Sequence, residues 1–406
     1  MADSPQQPLA AGTAPTKNSL SELAWFFLRL GTTAFGGPAA HIAIMEDELV
    51  RRRKWLTREK FLDLLGASNL IPGPSSSELA IHIGYLRAGW PGLLVGGVCF
   101  ILPAAILVTV IAWAYVRFGH LPAVAGLLYG VKPVVVAVIL QALWGLGRTA
   151  VKNSLLAVAG AICVALSFLG VNALLILAGT GAAMALVHVV FLSKKTHRQA
   201  TPGAFTLLRR SVRFKLAGFL AFTGAAGTDA PAMWSLFLVF LKIGSVVFGS
   251  GYVLLAFLRA DLVVHRGWVT DAQLVDAVAI GQVTPGPVFT TATFIGYLLR
   301  GPAGAVVATV GIFLPAFLLV AISGPLIPYI RRSATAGAFL DGVNVASLAL
   351  MTAVSYQLGR AAIVDWLTIA LTIASAVLLL RYRVNSAWLV LGGALLGIIA
   401  QAVRGG

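Results

Sequence analysis

The chain has 406 residues, of which 59% are hydrophobic and only 11% are charged, and its mean hydropathy is +0.91. Soluble domains carry roughly 25% charged residues, so a water-facing globular fold is excluded. The formal net charge of +16, from 30 Lys and Arg against 14 Asp and Glu, is spread over the ends of apolar stretches. That is the usual mark of cytoplasmic membrane loops, and without a nucleic-acid module it gives no reason to expect nucleic acid as a partner.

Residues 1–19 are rich in Pro, Ala, Gln and Thr and lack a basic start leading into an apolar run. They predict a disordered tail and no cleaved signal. Beyond them, apolar stretches recur at 93–116, 121–146, 171–192 and 303–322, each near the roughly 20 residues a helix needs to cross a bilayer. Helices are expected because lipid offers unpaired backbone groups no partner, and no ten-residue alternation suggests a barrel. Cys99 and Cys163 lie inside apolar runs without metal-ligand spacing. They are expected to be small core residues, with no disulfide, metal or cofactor.

The first segment, from about Ser19, carries Arg29 and meets Gly36-Gly37-Pro38 before restarting toward His41. The second, over 57–70, carries Asp63 and Asn69 and runs into Pro72-Gly73-Pro74. Proline removes an amide donor and glycine loosens the backbone, so both are expected helix breaks at membrane depth. Such breaks survive in lipid only where protein or a wet cavity satisfies them. A helix restarting there presents free N–H groups and the positive end of its dipole, a place for an anion; the competing reading is a kink for packing. Ser75 and Glu78 have capping-box spacing, and Thr57 reads as an N-cap.

Lys132 sits mid-way along 121–146 beside Gly130 and Pro133. An ionisable residue at that depth is a functional candidate, or else one member of an ion pair with Asp341. The pairs Gly92/Gly96, Gly126/Gly130 and Gly393/Gly397 have the small-xxx-small spacing of helix packing. Residues 193–232 carry Lys194, Lys195, Arg198, Arg209, Arg210, Arg213 and Lys215, which predicts a cytoplasmic linker.

The second half repeats the first. Residues 29–37 return as 242–250, an offset of 213. At the same offset Trp55 meets Trp268, Asp63 meets Asp276, and Pro72-Gly73-Pro74 meets Pro285-Gly286-Pro287. After one deletion the offset is 212 and carries Leu102-Pro103-Ala104 onto Leu314-Pro315-Ala316, and Gly130 onto Gly342. The expected repeats are 20–192 and 233–406. The basic loop of half one, with Arg51, Arg52, Arg53, Lys54, Arg58 and Lys60, corresponds to a loop with only Arg259 and Arg266, while Arg117 faces Arg331 and Arg332. This reversal predicts oppositely oriented halves, an architecture that places the site at the repeat interface. The fold expected is therefore an all-α polytopic membrane protein of two inverted repeats, with about ten crossings plus broken or re-entrant hairpins.

Candidate substrate contacts are Arg29 and Lys242, each seven residues before its glycine break and so on the break's face, with Lys132. The breaks add Gly36, Gly37, Pro38, His41, Pro72, Gly73, Pro74 and Ser75 in half one, and Gly249, Ser250, Pro285, Gly286 and Pro287 in half two. Asn69 and Gln282 are placed to donate to an oxyanion or to neighbouring carbonyls. Candidate proton relays are His41, Glu46, Asp63 and Glu78, although His41 also reads as a satisfied buried histidine and Glu78 as a cap.

The motif Phe35-Gly36-Gly37-Pro38-Ala39-Ala40-His41-Ile42 with Pro72-Gly73-Pro74, echoed by Phe248-Gly249-Ser250-Gly251 with Gln282-Val283-Thr284-Pro285-Gly286-Pro287, resembles the chromate transporter family in its long, two-domain form. The resemblance implies a bacterial inner-membrane permease, not an enzyme, that exports chromate, with sulfate as a similar dianion, using the proton-motive force. Half two departs from the pattern at Ser250, Gly251 and Leu254, where His41 has no counterpart. A passive anion channel, or a membrane enzyme or lipid flippase, are the rival readings; a homodimer is compatible with any of them.

Overall fold

A computed structural model describes residues 17–119, 121–192, 231–248, 253–323, 333–382 and 384–405, and every regular element among them is helical. The first half comprises α1 (Lys17–Thr33), α2 (Gly37–Glu46), α3 (Arg58–Ser68), α4 (Ser75–Phe118), α5 (Pro122–Ala150), α6 (Ser154–Phe168) and α7 (Ala173–Val187). The second half repeats the order as α8 (Met233–Val246), α9 (Leu254–Leu258), α10 (Asp271–Val283), α11 (Thr291–Ser323), α12 (Ala334–Ala362), α13 (Trp366–Arg381) and α14 (Ser386–Gly405). Both α2 and α9 run on into a wider π-helical turn, Asp47–Arg52 and Arg259–His265.

Three of the four expected breaks are present among the described residues. Gly36, at φ 106°, caps α2 with a proline in its first turn, and Gly73 and Gly286 take φ 143° and 91°. Thr57 caps α3, and Thr270 forms a capping box with Gln273. The start of α1 at Lys17 trims the expected tail. The remainder of that tail, nearly all of the linker, and the break residues Gly249, Ser250 and Gly251 lie outside the described residues.

The sequence predicts broken or re-entrant hairpins but not where they turn. Both α4 and α11 are helical hairpins, doubled back at Ala88-Gly89 and at Arg300-Gly301, where the two glycines share φ near 61°. A Cβ built on Gly84 would fall 2.1 Å from the Gly92 carbonyl, and one on Gly96 would fall 2.7 Å from the Ala80 carbonyl. In a straight helix those pairs would stand far apart at 1.5 Å per residue. A half-helix (75–87) therefore descends from the Pro-Gly-Pro break, turns, and returns as a long helix (90–118). The Gly92/Gly96 pair packs helix on helix as expected, but within its own hairpin. Gly296 and Gly304 repeat the contact in half two.

Among the described residues six helical stretches are long and apolar enough to cross a bilayer: Ser75–Phe118, Ala123–Ala150, Ala173–Val190, Val288–Ile322, Ala334–Ala362 and Ser386–Val403. Three shorter apolar helices, Ser154–Phe168, Met233–Val246 and Trp366–Arg381, fall below that length. The expected count of about ten is not reached by length alone. The glycine breaks divide each half's opening segment, and α6 at 15 residues spans only about 22 Å of a hydrocarbon layer near 30 Å thick.

The halves interlock. The long α5 packs chiefly against α14 and α13 of the other half, and α12 against α7 and α6. Glycines set the closest approaches: Gly130 lies against Gly393, Gly126 against Gly397, and, by the repeat, Gly342 against Gly181. Cys163 is buried and Cys99 half-buried, both free.

Candidate functional site

The two Pro-Gly-Pro breaks reach across to the residues that end the first helix of the opposite half. The Gly73 amide donates to the Val247 carbonyl at 2.7 Å, and the Gly286 amide donates to the Ala34 carbonyl at 3.1 Å. Each Pro-Gly-Pro loop thus reaches into the other half and braces the strand of backbone entering that half's first break. Any side chain would disturb the fit: a Cβ on Gly73 would meet the Glu78 carboxyl at 2.2 Å, and one on Gly286 would meet Ala104 Cβ at 2.7 Å. Both amides are engaged, so as bridge donors they are not free to hold an anion in this arrangement.

His41 ties together the two breaks of half one. It is fully buried, with Nε2 3.2 Å from the Ala34 carbonyl and Nδ1 3.3 Å from Ser76 Oγ. Phe100 closes on its ring edge-on at 5.2 Å. Because a carbonyl can only accept, Nε2 carries a hydrogen and donates it. Both sequence readings of His41 meet here, a satisfied buried histidine that is also the contact between the breaks.

Glu78 does not cap its helix. Pro74 is the N-cap, without a side-chain bond, and neither Glu78 carboxyl oxygen has a hydrogen-bond partner although the residue is fully buried. Ser77 Oγ and His82 Nε2 are likewise buried and unpartnered on the same half-helix. His82, one turn beyond Glu78, belongs to this polar face; sequence reasoning missed it because it lies within an apolar run, and only its spacing of four from Glu78 signals it. Glu46 and Asp63 are different. Glu46 meets the exposed Arg58 at 3.6 Å, and Asp63 is exposed on α3, so neither shares the buried environment of Glu78 and His41. Asn69 is exposed at the end of α3, while Gln282 keeps a buried, unpartnered Nε2.

The three deep cations differ from expectation. Lys132 does not pair with Asp341. Its Nζ lies 2.9 Å from Asp276 Oδ1, and Asp276 also accepts from the Tyr115 hydroxyl at 2.9 Å. Asp341 is taken by Lys152 at 2.6 Å near the surface. Lys242 is held by both oxygens of Asp261, at 2.8 and 3.1 Å. Glu48 stands where the repeat places Asp261, but Arg53 holds it at 3.1 Å and Arg52 approaches to 3.6 Å. Arg29 is left without an acidic partner among the described residues. It faces a cavity of about 210 Å³ lined also by Phe26, Leu30, Thr33, Ile44 and Glu48.

Duplicated halves, crossed helix breaks and buried polar groups among apolar helices define a multi-pass membrane protein of transporter type. The sequence profile described as "Chromate transporter" matches residues 21–186 and again 234–398. A chromate transport protein of Cupriavidus metallidurans is 36% identical over 98% of both chains. A probable chromate transport protein of Synechococcus elongatus is 32% identical over 86% of both. A chromate transport protein of Pseudomonas aeruginosa is 31% identical over 91% of this chain and 88% of its own. The chain belongs to the chromate transporter family, a family of transporters and not of enzymes. No solved structure matches it.

Proposed function

We propose that this protein carries chromate, and sulfate as a chemically similar dianion, out of a bacterial cell across the inner membrane. Its relatives' names supply the substrate. The reciprocal bridges from Gly73 to Val247 and from Gly286 to Ala34 carry the mechanism. They brace one half against the other through the residues that begin the half-helices, so tilting one half on the other repositions both breaks together. Alternating access by that motion needs no covalent chemistry.

The halves are inverted in this reading. Support comes from the reversal of the basic loops and from helix direction. Gly126 pairs with Gly397 and Gly130 with Gly393, so α5 and α14 run antiparallel. The counterpart of α14 within half one is α7. In this reading α7 runs with α5, α6 returning the chain between them in sequence; Cys163 of α6 meets Thr180 of α7 at 3.0 Å.

The anion is held at the half-one breaks, by the first turns of α2 (Gly37, Pro38) and of the 75–87 half-helix (Pro74, Ser75), with Arg29 offsetting its charge, Gly36, Pro72 and Gly73 shaping the turns and His41 tying the two turns together. Lys132 and Lys242, neutralised by Asp276 and Asp261, and Pro285, Gly286 and Pro287 shape the frame around it. The energy comes from the proton-motive force. A dianion leaving a negative interior gains about 4.6 kcal/mol per 100 mV, at about 2.3 per charge.

Uptake of radiolabelled chromate and sulfate into inverted membrane vesicles, with and without an imposed proton gradient, tests this reading. Concentrative, gradient-dependent uptake is expected. Flux that only equilibrates would make the protein a passive channel.

A further inference from the structure

The half-helix 75–87 begins at a membrane-depth break, and its first turn already holds a carboxyl. Glu78 Oε1 folds back toward the Gly73 backbone, close enough that a Cβ there would sit 2.2 Å from it. The carboxyl thus lies over the N-terminus, the place where the helix dipole most favours negative charge. It is fully buried and makes no hydrogen bond among the described residues. A lone buried carboxylate is costly unless something neutralises it.

The elements packed on α4 bring no neutralising partner. The charged groups of α1 are Lys17, at its first residue, Glu22 and Arg29, those of α2 are His41 and Glu46, and those of α3, including Asp63, are exposed. Asp276 of α10 is paired to Lys132, and Arg300 of α11 donates to the Pro231 carbonyl. None of these comes within hydrogen-bond or ion-pair distance of Glu78, whose nearest titratable neighbour along its own helix is His82. The repeat sharpens the contrast. At either offset the Glu78 position in half two is a threonine, Thr290 or Thr291, whose hydroxyl is bonded to a local carbonyl. Leu254 replaces His41, and Phe294 replaces His82.

We propose that Glu78 is a built-in competitor for the oxyanion. Buried and unpartnered as here, it is held as the neutral acid; opened to alkaline water it ionises and its carboxylate occupies the half-helix N-terminus, and the anion takes that place only when Glu78 has accepted a proton again and moved away. One proton then accompanies each anion and is released to water when the anion leaves and the carboxylate returns. The inference rests on the oxyanion-carrier reading above and fixes its coupling: a dianion with one proton still carries net negative charge, so the membrane potential drives the pair outward.

Linked proton uptake measures this directly. Full-length protein in detergent is titrated with chromate in weakly buffered alkaline solution, where the free ion is a dianion, and the pH change is followed. About one proton taken up per chromate bound is expected. Glu78→Gln should bind chromate without proton uptake, and Glu78→Asp, which keeps the carboxyl, should retain it. Wild-type protein that binds chromate but takes up no proton overturns the proposal whether or not the variants fold, and so does undiminished uptake in Glu78→Gln. Failure of the wild type to bind chromate or sulfate is a separate result: it removes the oxyanion reading, and this inference with it.

Discussion

Lys132 of α5 and Asp276 of α10 meet at 2.9 Å across the boundary between the halves, with side chains only 21% and 6% exposed. The Tyr115 hydroxyl closes on the other carboxyl oxygen. The repeat puts Asn344 at the Lys132 position of half two, so this charged tie exists on one side alone. Breaking a buried pair by removing one partner costs about 3–5 kcal/mol, because the other charge stays behind. Lys132→Gln should therefore lower thermal stability markedly, and adding Asp276→Asn should restore most of it. Asp341→Asn serves as the contrast. Its pairing with Lys152 is more than half exposed on the lysine side and should be worth about 0–1 kcal/mol. Melting of the three variants in detergent decides it, and a double no more stable than Lys132→Gln would refute the assignment.

Arg29 and Lys242 occupy equivalent positions with opposite circumstances. Lys242→Gln abandons Asp261, which is buried, and should destabilise the protein more than it alters substrate affinity. Arg29→Gln abandons no acid, so stability should hold while chromate affinity falls about tenfold, the loss of one charge-assisted contact worth about 1.5 kcal/mol. Parallel melting curves and chromate binding isotherms separate the two. Equal loss of affinity in both variants would return Lys242 to the binding site.

The breaks were legible because glycine and proline announce them locally: the positive φ of Gly36, Gly73 and Gly286 is what those residues are for. The repeat was legible for the same reason. The hairpin turns at Ala88-Gly89 and Arg300-Gly301 were not, although Arg87, Gly89 and Pro91 and then Arg300, Gly301 and Pro302 mark them, because the long apolar runs that begin just beyond, at 93–116 and 303–322, drew the start of each helix there. Ion partners were hidden too. Lys132 lies 144 positions from Asp276, and only tertiary packing brings α10 beside α5, whereas the repeat logic pointed to Asp341 in the matching segment. Glu78 looked like a cap by spacing, but Pro74 took that position and left the carboxyl unpaired.

Gly73 and Gly286 should tolerate no side chain in a working carrier. Both adopt positive φ, which costs other residues about 1–3 kcal/mol, and both approach their neighbours too closely for a Cβ. Valine at either position should abolish chromate flux while the protein still inserts and is expressed. The two variants should differ in stability. At Gly73 the obstacle is the end of the Glu78 side chain, which can move; at Gly286 it is Ala104, fixed on a packed helix. Gly286→Val should melt lower than Gly73→Val, and flux at wild-type rates in either would show that the loops only pack.

Orientation is the last point open to direct measurement. If the halves are inverted, the loop carrying Arg51, Arg52 and Arg53 and the matching loop carrying His265, Arg266 and Gly267 lie on opposite sides of the membrane. Both include the end of a short π-helical turn in the same position of the repeat, so a parallel arrangement would put them on the same side. Arg52 is largely exposed, as is Val264, at 61%, which makes single cysteines at these two sites accessible to a membrane-impermeant thiol reagent. Cys99 is half-buried and Cys163 buried, so replacing both with alanine gives a clean background. In intact cells the Val264→Cys protein should label and the Arg52→Cys protein should not, with the pattern exchanged in inverted vesicles, because the basic loop stays with the cytoplasm. Labelling of both from one side would make the halves parallel, and the antiparallel pairing of α5 with α14 would then need α6 to return the chain without crossing.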